Sequence, residues 1–270
     1  MDIIPRKILS QPQTASPKYW YDNKAFETHF FNALSSTFPE GERFFIISVR
    51  NYAAQITDPK LKEQVERFIS QEGQHSREHE AHLKLLADQG FALLIRMNRW
   101  EREVMRWFAK TLPRYALALT LTIEHVTAIF AATLLSDQAR LCESMHTDYR
   151  LLWRWHAVEE IEHKAVAFDV YEQTGGGVGL RRLAAMQVAI FFPAILFLRH
   201  ALLLAKDGVL FDFAEWRRGS AFLWGSNGLL RKIIAAYGRC LSREFHPWQH
   251  NNAHHIDEFN RHHSEHYRKL

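Results

Sequence analysis

Only two of the 270 residues are cysteine, Cys142 and Cys240, far apart and in no ligand spacing, which excludes a disulfide framework and a thiolate zinc site. Alternating apolar and polar residues bounded by turn signals, the mark of strands, are nearly absent. Glycine clusters once, at residues 175–179. Charge of one sign is not in excess: 34 basic residues face 30 acidic ones, spread along the chain, so no nucleic-acid partner is expected. No apolar run reaches the ~20 residues that span a bilayer. The longest candidate, residues 183–205, is interrupted by Gln187, Pro193, Arg199 and His200. The opening MDIIPRKILSQPQ lacks the layout of a secretory signal, which gives the expectation of a cytoplasmic protein.

What is present is helical periodicity and histidine. Apolar residues recur at three and four over long windows, predicting helices at 23–56 (kinked or broken near Pro39 and Gly41), 59–88 (stopped by Gly90), 98–135 (kinked or broken at Pro113) and 148–173. Residues 136–147 read as a connector. The expected fold is all-α, a four-helix bundle over 1–174, with a C-terminal helical extension over 175–270 packed on it. The 183–205 segment is expected to cover the bundle or form a dimer face, or else to touch a membrane surface peripherally. Seven of the sixteen histidines fall in the last 25 residues, without regular spacing, and read as a solvated tail.

The chemistry lies in four helices. Glu72 and His75 form Glu-x-x-His in the second, and Glu160 and His163 repeat it in the fourth; such spacing stacks two side chains on one helix face. Glu42 in PEGERFF and Glu124 in ALTLTIEHVTAIFAA are single acids in apolar surroundings on the first and third. One Glu from each of two helices and a Glu-x-x-His from each of the others is the ligand pattern of the ferritin-like dinuclear carboxylate proteins. Register agrees with it. Glu42 and Glu72 are centred on Thr57, and Glu124 and Glu160 on Cys142, as facing residues of antiparallel pairs must be. Four carboxylates in an apolar bundle repel one another, and two divalent cations would cancel their charge. His156, one turn before Glu160, is a candidate seventh ligand. Glu159 and Glu162 compete with Glu160, while His79, His82 and His125 read as helix surface or outer partners.

At these motifs the chain resembles the bacterial family described as predicted metal-dependent hydrolases, which share the PEGERFF, QEGQH and WHAVEEIEHK helices and a later FHP, here Phe245, His246 and Pro247. It is also similar at its ligands to the diiron arylamine N-oxygenases. That likeness implies Glu42, Glu72, His75, Glu124, His156, Glu160 and His163 as the metal set.

The leading expectation is accordingly a diiron oxidase or oxygenase, with iron as the metal and manganese or mixed manganese and iron as alternatives. Its partners would be O2, an external electron donor and an organic, hydrophobic substrate, with a second copy of the chain as a candidate neighbour. The alternative is a metal-dependent hydrolase that uses the two ions to activate water, and the third reading is a non-catalytic metal-binding protein.

Overall fold

Asp58 and Pro59 determine how the first two helices are joined. Proline at the first helical position costs no hydrogen bond, and the Asp58 carboxylate caps the Lys60 amide at 2.9 Å. They set α2 (Pro59–Leu86) back against α1 (Ala25–Arg50). The computed structural model describes residues 2–9, 12–13, 15–136 and 141–270. After α2 a short wide turn at Ala87–Phe91 contains Gly90 at φ 100°, the left-handed conformation that stops the helix.

The expected third helix is two, α3 (Leu93–Thr111) and α4 (Pro113–Leu135). Pro113 cannot donate to the preceding turn, so it ends one helix and begins the next. The connector that follows is irregular where described, and residues 137–140 of it lie outside the described residues. The fourth helix also divides, into α5 (Thr147–His163) and α6 (Val166–Gln173). At the break the Lys164 ammonium donates to the His250 carbonyl at 2.7 Å and to Asn252 Oδ1 at 2.6 Å.

Pro39 does not interrupt α1. Proline removes one amide from the ladder and disturbs the turn before it. Here the Ser36 carbonyl in that turn accepts from Asn98 Nδ2 at 3.0 Å and from Arg199 Nη1 at 2.8 Å, so side chains of neighbouring helices hold the turn and the helix continues.

Helices α1, α2, α4 and α5–α6 pack on one another, and α4, with 83% of its most apolar window buried, is a core helix. Outside them, α3 lies on α1, and α7 (Val178–Lys206) lies on α1 and α4. Helix α8 (Phe213–Trp224) packs on α1, α9 (Leu229–Tyr237) on α4, and α10 (His254–His263) on α5. A two-stranded antiparallel sheet, not expected from the sequence, joins β1 (Arg6–Ile8) to β2 (Tyr267–Lys269), pairing Arg6 with Lys269.

Candidate metal centre

The four central helices bring all seven expected residues to one place. Glu42 comes from α1, Glu72 and His75 from α2, Glu124 from α4, and His156, Glu160 and His163 from α5. None is more than 4% exposed. His163 Nε2 stands 3.1 Å from Glu72 Oε1 and 3.3 Å from Glu124 Oε2. His156 Nε2 is 2.9 Å from Glu160 Oε1 and 3.9 Å from Glu42 Oε1. Glu160 Oε1 is also 3.6 Å from both His75 Nδ1 and His163 Nε2.

Each histidine nitrogen facing inward is matched by one fixed from outside. His75 donates from Nε2 to Glu159 Oε2 at 3.0 Å, turning Nδ1 to the centre. His163 donates from Nδ1 to Gln71 Oε1 at 2.9 Å, turning Nε2 inward, and Gln71 in turn donates to Glu162 at 2.8 Å. His156 Nδ1 meets His79 Nε2 at 2.5 Å. Such outer partners fix the ring orientation of histidines that bind metal.

Behind them lies Arg6, fully buried, with Nη2 2.6 Å from Glu162 Oε1 and Nη1 3.4 Å from Glu159 Oε1. Its backbone amide also donates to Glu159 at 2.9 Å. The competition among Glu159, Glu160 and Glu162 is thereby resolved by direction: Glu160 faces the other ligands, and its two neighbours face Arg6. Sequence reasoning missed Arg6 and Gln71, and of its two readings for His79 and His82, helix surface or outer partner, the structure supports the buried one. Both histidines are buried, bridged by Ser35 Oγ at 2.8 Å from each Nδ1. The signal was available, since His75, His79 and His82 follow at four and three and share a face. His125 is buried too, against Phe245 and Tyr237, away from the ligands.

Electrostatics gives the test of whether these residues fit a metal. Both oxygens of Glu42, Glu72 and Glu124, Glu160 Oε2, His75 Nδ1 and His163 Nε2 are buried without a hydrogen-bond partner. Buried polar atoms are seldom left so, and here they converge. Burial pushes Glu124 up to about 8, and burial with the charge of Glu72 pushes Glu42 well above the usual carboxylate range. Burial acts the same way on Glu72 and Glu160, but the adjoining histidines outweigh it and hold both low. His75 is opposed by burial yet raised to about 10 by Glu159 and Glu72. Among the described residues, four overlapping trios have ligand atoms close enough to share an ion: Glu42, Glu72 and His75; Glu72, Glu124 and His163; His75, His156 and Glu160; and Glu42, His79 and His156. The donor set, carboxylate and imidazole with converging free lone pairs, fits divalent metal.

A mostly helical chain with a buried Glu/His cluster able to hold metal is the class defined so far. The chain belongs to the predicted metal-dependent hydrolase family, which it matches over residues 4–251. No curated protein and no solved structure matches it. The family corrects the leading expectation. Its description names hydrolysis, so the O2-activating oxygenase, with its electron donor, gives way to the alternative reading. The physical reason for the error is that carboxylate and imidazole ligands serve redox-active and redox-inert ions alike, and the ligand set alone was asked to decide.

Proposed function

We propose that this protein is a hydrolase whose centre, at the middle of a ferritin-like four-helix bundle, binds two divalent ions. Glu42, His75 and His156 would hold one ion and Glu124 and His163 the other, with Glu72 and Glu160 between them. The observation that carries the pair is Glu160 Oε1 at equal distance from His75 Nδ1 and His163 Nε2. Glu72 Oε1 is shared in the same way, 3.7 Å from His75 Nδ1 and 3.1 Å from His163 Nε2.

When bound, such ions supply a nucleophilic water at neutral pH and polarise the carbonyl of an ester or amide. The chain's residues do the rest. Glu159, Gln71 and His79 keep the three ring nitrogens aimed inward, so ligation costs little reorganisation. The closed, apolar bundle excludes bulk water from the reacting bond. The proton of the attacking water passes to the leaving oxygen or nitrogen, so that water and ester give acid and alcohol.

The test is anaerobic assay of protein loaded with zinc or manganese against p-nitrophenyl esters and anilides of increasing acyl length, with metal counted per chain. The expected result is hydrolysis at two ions per chain, with both metal and turnover lost in Glu124→Ala. Failure of the loaded protein to hydrolyse any of them, or undiminished turnover in Glu124→Ala, would overturn the reading.

A further inference from the structure

Helices α3 and α7 both pack on α1 and run antiparallel, linked by side chains. Gly90, just before α3, lies beside the Lys206 side chain; Glu101 pairs with Arg199 at 2.5 Å; and Tyr115, at the start of α4, donates to Gln187. Both pack inward on α1, which leaves an outer face on each.

Those faces are unusual. On α7, Leu183, Met186, Ile190, Phe191, Ile195 and Leu198 are exposed, Ile190 by 66%, and no charged residue occurs between 183 and 198. The inward face of the same helix carries buried Arg199, His200, Leu203 and Leu204, so α7 is tied along its length to the protein and only 33% of its apolar window is buried. On α3, Trp100 is 69% exposed and Trp107 62%, one above the other at seven residues, with Val104 between them. Arg96, Arg99 and Lys110 are exposed among these rings, and the exposed Arg106 pairs with Glu103 at 3.3 Å, which leaves the stripe net positive. Tryptophan with flanking arginine is the composition of a helix lying in a membrane interface, where the ring sits at headgroup depth and the guanidinium reaches phosphate. Exposed apolar surface of this extent marks an interaction site.

We infer that the α3–α7 face docks on an anionic lipid bilayer, α7 resting in the acyl boundary and the α3 arginines on headgroup phosphates. Charge selects this occupant over a second copy of the chain. In a symmetric dimer the same patch meets itself, and the net positive charge of Arg96, Arg99 and Lys110 would be brought to its own like, whereas an anionic surface complements it. The inference is independent of the chemistry at the metal centre.

The experiment is co-sedimentation of the full chain with vesicles of phosphatidylcholine alone or of equimolar phosphatidylcholine and phosphatidylglycerol, with quenching of tryptophan by brominated lipid. Binding to the anionic vesicles, weakened by salt and reduced roughly tenfold or more by Ile190→Asp or by Arg96→Gln with Arg99→Gln, is expected. Every substituted residue is exposed, and unchanged metal content reports an intact fold. The wild-type result decides alone if a variant fails to fold. Absence of binding, equal binding to neutral vesicles, or a dimer in sedimentation equilibrium that Ile190→Asp dissociates would overturn it.

Discussion

Glu159 and Glu160 are neighbours of one type with opposite tasks, one holding a ligand histidine from behind and the other facing the centre. Removing the first tests the assignment without touching a ligand. Glu159→Ala should leave Arg6 paired with Glu162 and free the His75 ring, lowering metal affinity roughly 10- to 100-fold in a chelator competition titration. Unchanged affinity would mean that His75 needs no orientation. At this scale the sequence was legible wherever spacing on one helix carried the information. Glu42, Glu72, His75, Glu124, His156, Glu160 and His163 could be named because two helices stack a Glu-x-x-His, and the turns mirror the single acids of the other two onto them. Arg6 could not be named. It reaches Glu159 and Glu162 from 153 and 156 residues away, through the backbone of a three-residue strand that no periodicity announces. His79 and His82 stayed between surface and outer partner because a polar residue on a long helix is ordinarily at the surface, and Ser35, which bridges them, lies on another helix.

Among the elements, helices were readable and their interruptions were not. Two prolines with the same local effect behave differently: Pro113 divides a helix, and Pro39 sits inside one. The difference is tertiary, since only the turn before Pro39 is held by Asn98 and Arg199. Arg199 therefore ties three helices, bonding Ser36 of α1 and pairing with Glu101 of α3. Arg199→Leu, which leaves Glu101 without its partner and the Ser36 carbonyl with only Asn98, should cost about 3 kcal/mol in urea unfolding. Asn98→Ala, which leaves the ion pair intact, should cost about 1 kcal/mol. Equal costs would show that the ion pair adds nothing to holding α1 straight.

For the whole molecule, long-range ties join the N-terminal segment to the helices. Asp207, just beyond α7, takes Lys18 Nζ at 2.7 Å, Tyr19 Oη at 3.0 Å and His29 Nε2 at 2.7 Å. Burial works to raise this carboxyl, but the bonds from His29 and Lys18 outweigh it and hold Asp207 well below the usual carboxylate range. A depressed native value means stability that is present above the unfolded value of about 3.9 and lost as pH falls through the native one. Asp207→Asn should accordingly lower stability at pH 7 by about 2 kcal/mol and flatten the acid limb of the pH dependence of Tm. A parallel loss at every pH would assign the effect to packing instead. Arg6, described above as a backing for two glutamates, has a further consequence in time. Its partners close loops of more than 150 residues, and contacts at such separation form late, after the helices have condensed. Arg6 thus belongs on the native side of the folding barrier, and Arg6→Ala should leave the refolding rate nearly unchanged while unfolding accelerates by on the order of a hundredfold or more. The guanidinium would then act as a latch, setting how long the centre stays shut more than how quickly it is built.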